Sequence, residues 1–337
     1  TASDMGLNPH FKADLRQAWD IEGLQVGIEA GDRLQLARGI TLVESQLADD
    51  RPLALDLLSR LCPKDTSRRI AVTGNPGSGK STLIESMGQY WVDRGKSVAV
   101  LAIDPSSNVT GGSILGDKTR MEQLAHHPKA FIRPSASGGL LGGVARRSRE
   151  CIALCEAAGY DIILIETVGV GQNETAVEHF VDCFLMVALP SAGDELQGIK
   201  RGIMEKADLI VVNKADGNLM KAAKQSQLQI KNALHMMQNT SAWQPVALTC
   251  SAIQGEGIDA LMEELAACLD LRMEPSNMTS RRLAQTLEAF ESAWKQLWLQ
   301  RATSHPLWAE SLATCKEALM QGEWSLDQAL ARLRQVK

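Results

Sequence analysis

Gly74-Asn75-Pro76-Gly77-Ser78-Gly79-Lys80-Ser81 stands between an apolar run, Ile70-Ala71-Val72-Thr73, and a segment from Thr82 to Trp91 that reads as a helix. Strand, glycine-rich turn and helix in that order give the G-x-x-x-x-G-K-[ST] pattern its meaning as a phosphate-binding loop. Glycines let the backbone curl until consecutive N–H groups face inward, and the helix N-terminus adds partial positive charge. In this reading Asn75, Pro76, Gly77, Ser78, Gly79 and Thr82 surround the phosphates. Lys80 reaches the β- and γ-phosphates, and Ser81 offers its hydroxyl to Mg²⁺. The stretch predicts a nucleoside triphosphate ligand.

Outward from this loop the chain alternates between strand and helix. Strands are predicted over Ile70–Thr73, Val98–Ile103, Ile162–Ile165, Phe184–Leu189, Leu209–Val212 and Val246–Thr249. Most are unbroken apolar runs, as parallel strands buried on both faces require, and helices fill most of the gaps. The expected fold is α/β, a mainly parallel doubly wound sheet flanked by N-terminal and C-terminal helical extensions. Ligands of such sheets sit at the carboxyl ends of the strands.

Polar residues stand at those ends. Asp104 follows Val98–Ile103 and is either a magnesium carboxylate or a turn and helix cap. Glu166 ends the run Ile162–Ile165, where an acidic residue takes the Walker-B role, and Gly169 is placed to donate its N–H to a γ-phosphate. Asn213-Lys214-Ala215-Asp216 follows Leu209–Val212. A carboxylate at Asp216 can accept from N1–H and N2–H₂ of guanine, whereas adenine would leave it unpaired. Asn213 serves the O6 and N7 side or braces the loop, and the Lys214 stem lies along the ring. Ser251 and Ala252 end the last strand, where a backbone N–H can meet guanine O6.

The flanks carry no comparable chemistry. Residues 1–62 read as a helical layer, with Pro52 near a helix start and Cys62-Pro63 closing it. The nucleotide domain is expected over 63–270 and a C-terminal helical arm over 271–337. In that arm Glu274-Pro275-Ser276-Asn277 reads as a linker. A long helix from Ser280 then places Leu283, Leu287, Phe290, Trp294, Leu297 and Trp298 on one stripe. Such a stripe suits either an internal core or a partner surface.

Composition narrows the function classes. A formal net charge of −5 gives no support to nucleic-acid binding, and Arg146-Arg147-Ser148-Arg149 reads as one helical turn. No apolar run is long enough to span a bilayer, and Thr1-Ala2-Ser3-Asp4 shows no signal pattern. The chain starts without Met, as processing or a cloning remnant would leave it. Seven cysteines without close pairing suit a reducing cytoplasm, and Cys151 and Cys155 are expected to pack in the core.

With these motifs assembled, Glu166-Thr167-Val168-Gly169-Val170-Gly171-Gln172-Asn173-Glu174 resembles the metallochaperone branch of P-loop GTPases. Leu101–Ser107, Gly111–Met121 and Asp194–Lys200 resemble the GTPase chaperones of adenosylcobalamin-dependent methylmalonyl-CoA mutase. The likeness covers about residues 30–270. It implies Mg²⁺-dependent GTP hydrolysis to GDP coupled to cobalamin loading and protection of a mutase. It also implies a homodimer built through the C-terminal helices. By matching positions it makes Ser81, Asp104, Asp117 and Glu166 the magnesium and switch set. The Ala192–Lys200 loop, with Asp194, Gln197 and Lys200, becomes a further switch. Nickel-handling relatives carry Cys- or His-rich motifs, whereas His126-His127 precedes Pro128 and reads as a surface turn. The family has also been read as an ATPase or protein kinase serving basic amino-acid transport. A third reading is a nucleotide-gated binding module with slow turnover. Asp216, and the lack of a His-Arg-Asp loop, favour the GTPase over the kinase.

Overall fold

The computed structural model describes residues 19–63, 66–103, 121–134, 141–167, 175–190, 201–237, 242–304, 306–321 and 323–333. The chain forms two compact units that divide between Met273 and Glu274.

The first unit holds seven strands: β1 (Arg68–Gly74), β2 (Val98–Ile103), β3 (Ala130–Arg133), β4 (Ile162–Thr167), β5 (Cys183–Ala188), β6 (Leu209–Val212) and β7 (Val246–Thr249). They join in the order β3-β2-β4-β1-β5-β6-β7, and every pairing is parallel. The chain moves from β1 to one side of the sheet and returns to the other side with β5. The carboxyl end of β1 is therefore the point where the winding reverses, the place where such sheets bind ligands.

Side-chain alternation divides the core in two. On one face Ile70, Val72, Val100, Leu164, Leu185 and Val211 pack with α4 (Lys80–Asp93) and α9 (Ile258–Met273). On the other, Ala71, Leu101, Ile163, Phe184 and Ile210 pack with α6 (Leu141–Ala157) and α8 (Met220–Met236). Two short helices, α5 (Glu122–His126) and α7 (Arg201–Met204), complete the connections. The N-terminal helices α1 (Ile21–Glu29), α2 (Arg33–Glu44) and α3 (Asp50–Arg60) share the second core. Arg51 grips Glu150 of α6 through two hydrogen bonds of 2.9 and 2.7 Å, and Arg133 of β3 reaches Glu44 at 2.8 Å. Arg146–Arg149 form one turn of α6. Cys151 and Cys155 are buried on the same helix, and burial pushes both thiols up.

Two expectations need correction. The strand β3 escaped the sequence reading. Glu274–Asn277 does mark the division between the two units, but from Pro275 it is helical rather than an extended linker, because α10 spans Pro275–Ser304. Proline is well tolerated in the first helical turn, where its missing N–H has no intrahelical partner to lose. In the second unit α10 is followed by α11 (Pro306–Met320) and α12 (Leu326–Leu333). Leu283, Leu287, Phe290, Trp294, Leu297 and Trp298 are all more than half exposed along α10. No described helix is long and apolar enough to cross a membrane.

One ion pair fastens the central strand to its covering helix. Arg69 of β1 donates to Glu156 of α6 from Nε at 2.6 Å and from Nη2 at 2.9 Å, and Glu156 is buried. Removing the carboxylate strands a half-buried guanidinium. Glu156→Ala is expected to lower unfolding free energy in urea by about 3–5 kcal/mol. A loss below about 1 kcal/mol would show that the pair is not a structural clamp.

Candidate functional site

The phosphate loop forms where β1 stops. Gly74 has φ 149°, and a Cβ there would lie 2.2 Å from the Val187 carbonyl oxygen of the neighbouring strand. Gly79 opens α4 in the left-handed region, and its missing Cβ leaves room for the Asn213 amide, which a methyl group would meet at 2.5 Å. Both positions exclude larger residues. Asn75, Pro76 and Gly77 are exposed at the loop tip, whereas Ser78, Lys80 and Ser81 are buried, and Thr82 lies between. The Lys80 ammonium donates to the carbonyls of Gly74 at 2.8 Å and Asn75 at 3.2 Å. It thus sits within the curl of the loop.

The register of the sheet sets the acidic partner. Glu166 stands opposite Val72 across the β1–β4 ladder. Ser81 Oγ donates to Glu166 Oε1 at 2.9 Å, with both residues buried. A hydroxyl and a carboxylate held together give hard oxygen donors, the kind that magnesium accepts. Asp104, Asp117, Gly169, Asp194, Gln197 and Lys200 lie outside the described residues.

The second half of the site comes from the ends of β6 and β7. Of the two roles open to Asn213, the structure shows bracing. Its Nδ2 donates to the Ser78 carbonyl at 2.9 Å, and its Oδ1 accepts from Ala252 N at 3.0 Å. Cys250 Sγ points to the same Oδ1 at 3.5 Å, and burial pushes this thiol up to about 12, which keeps its proton in place. Asn213 N donates to Ala188 O and Ala215 N to Cys250 O, both at 2.9 Å. Pinned between them, Lys214 adopts φ 59°, the one positive φ outside glycine among the described residues. Backbone strain of this kind, about 1–3 kcal/mol, persists only where the surroundings impose it. Ser251 Oγ donates to Asp216 Oδ2 at 2.5 Å and orients that half-buried carboxylate.

Ser86 has no motif to announce it, yet its hydroxyl on α4 lies 3.0 Å from the Ala252 carbonyl and 3.1 Å from that of Thr82. It ties the loop after β7 to α4, the helix that follows the phosphate loop. The described residues therefore bring Asn75–Thr82, Glu166, Asn213, Lys214, Asp216, Ser251 and Ala252 to one edge of the sheet. The arrangement can cradle phosphates at one end and present a fixed carboxylate at the other.

Comparisons with known proteins agree with this geometry. The family model described as methylmalonyl Co-A mutase-associated GTPase MeaB matches residues 36–306. GTPase ArgK of Escherichia coli is 50% identical over 236 residues, covering 69% of this chain and 71% of its own. The methylmalonic aciduria type A homolog, mitochondrial, of Mus musculus is 40% identical over 317 residues, covering 90% and 76%. The crystal structure titled LAO/AO transport system kinase superposes with a TM-score of 0.74 at 33% identity, covering 94% of this chain and 96% of that one.

The Asn213 bracket yields a direct test. Asn213→Ala leaves the Ser78 carbonyl and the Ala252 N–H without this partner, at about 1–3 kcal/mol for each buried group. Thermal melting should fall, and nucleotide affinity should fall with it. Unchanged melting together with unchanged affinity would contradict the bracing role.

Proposed function

Because the chain belongs to the methylmalonyl-CoA mutase-associated GTPase (MeaB) family, we propose that it uses GTP to gate adenosylcobalamin loading and protection in a mutase of that type. GTP hydrolysis is the family's activity, and the mutase is the partner that the family description names. The observation that carries this reading is the Asn213 bracket, which joins a phosphate loop to a carboxylate suited to guanine.

In the proposed cycle Lys80 leaves the Gly74 and Asn75 carbonyls for the β- and γ-phosphate oxygens and stabilises charge that builds there. Ser81 and Glu166 fit Mg²⁺ by donor chemistry, with Asp104 and Asp117 completing the set implied by resemblance. When bound, the ion neutralises charge on the phosphate oxygens. Gly169 follows the γ-phosphate. Asp216 takes the guanine N1–H and N2–H₂ while Lys214 covers the ring. The backbone N–H groups expected to meet O6 are already engaged, Ser251 N with Glu256 O and Ala252 N with Asn213 Oδ1. The Asp194–Lys200 loop senses the mutase, and Lys200 adds positive charge only when that partner orders it.

The exposed apolar stripe of α10 supports a homodimer formed through the C-terminal arm. The acidic balance of the chain supports a protein partner rather than nucleic acid. A cytoplasmic setting and the absence of a membrane role remain part of the same proposal. The solved relative titled a transport system kinase shares the fold, but the Ser251-oriented Asp216 favours guanine over adenine.

The test is GTP turnover with and without a purified adenosylcobalamin-dependent mutase. Stimulation is expected, and Lys200→Ala should lose most of it. Turnover indifferent to the mutase would overturn the gating role, and full stimulation of Lys200→Ala would remove Lys200 from it. Lys80→Ala is expected to reduce turnover by about 100-fold or more, the scale of losing one electrostatic group. Hydrolysis by that variant at the unmutated rate would mean that the site is misplaced.

A further inference from the structure

At the opposite end of the sheet from the nucleotide loops, Cys183 opens β5, Asp208 stands just before β6, and Cys268 projects from α9. One donor atom from each lies within 4.8 Å of the other two, and all three residues are buried. Among the described residues this is the one cluster of its kind. None of the three has a part in the proposed GTPase cycle.

We propose that Cys183, Cys268 and Asp208 form a site for a soft divalent cation of the zinc type, fastening β5 and β6 to α9. Thiolates select zinc-like ions, and a carboxylate oxygen is an accepted companion. The carboxylate is held as a ligating one is: Oδ2 accepts from Phe184 N at 2.9 Å, and Oδ1 accepts from the Arg272 guanidinium. A carboxylate offers about four lone-pair positions, so these two bonds leave room for a metal. Trp243 Nε1 donates to the Asp208 backbone carbonyl at 3.0 Å and fixes the same corner.

Charge selects the valence. Asp208 and Arg272 already form a neutral pair. A dication that displaces both thiol protons to solvent adds two positive charges and leaves two thiolates, so the buried cluster stays neutral. A monovalent ion bound by both thiolates would leave an uncompensated negative charge, which burial penalises heavily. No electron transfer is involved.

Cadmium is the probe, because its bonds to thiolate absorb in the ultraviolet. It is offered to the full chain with GDP and Mg²⁺ present, both to the folded protein and during refolding. The expected result is a thiolate–cadmium band that saturates at one ion per chain. The band should disappear in Cys268→Ala and persist in Cys151→Ala, which alters the other neighbouring buried thiols. Cadmium NMR of the unmutated chain should report two sulfur ligands, and this measurement stands even if Cys268→Ala fails to fold. No band under either condition, fewer than two sulfur ligands, or a band lost in Cys151→Ala instead would overturn the site. So would a Cys183–Cys268 disulfide that takes up no cadmium after reduction.

Discussion

The Asn213 side-chain amide joins the two loops proposed to meet opposite ends of a nucleotide. One side holds the Ser78 carbonyl inside the phosphate loop, and the other holds the Ala252 N–H beyond β7. Because Asn213 is almost fully buried, water cannot replace either bond cheaply. Much of the site's geometry follows from this constraint. Gly79 must lack a side chain so that the amide can approach, and Lys214 is driven into a left-handed turn directly after it. Ser86 adds a parallel tie from α4 to the Ala252 carbonyl. The proposed phosphate and base sites are thus mechanically one, although their residues lie well over a hundred positions apart in the chain.

The sheet supplies the frame for that bracket. Parallel pairing turns every carboxyl end toward the same edge, and β1 sits between β4 and β5. Register then fixes Glu166 near Ser81, where their 2.9 Å bond unites a helix residue with a strand residue. The N-terminal helices join the core on the face covered by α6. The C-terminal unit has a different character, since α10 displays a line of leucine, phenylalanine and tryptophan to solvent. A surface of that kind is costly to leave uncovered.

Much of this was legible in the sequence because the chemistry is local. The runs Val98–Ile103, Leu209–Val212 and Val246–Thr249 are strands with those same bounds; the first two lie inside the sheet, where a strand covered on both faces must be apolar, whereas β7 is a partly buried edge strand. The phosphate loop, Glu166 and Asn213–Asp216 each declare themselves by standing at a strand end. β3 did not, because its apolar run is only Ala130-Phe131-Ile132 and is closed by the charged Arg133. The order of the strands was also invisible, as it depends on crossovers rather than on any residue pattern. Asn213 was legible as a site residue but not in its bracing role, which needs partners brought in from two other loops. Ser86 and Cys250 act only through such partners, so no spacing rule marks them. Pro275 misled for the opposite reason, since a residue that often ends helices here begins one.

In the proposed function guanine is recognised by Asp216, a carboxylate that Ser251 orients in advance. Calorimetric titration of the purified protein with GDP and with ADP, each with Mg²⁺, tests this most directly. GDP should bind tighter by roughly 10- to 150-fold, the equivalent of about 1.5–3 kcal/mol for hydrogen bonds to a charged group. Equal affinities for the two nucleotides would contradict the assignment of Asp216 and, with it, the account of the site.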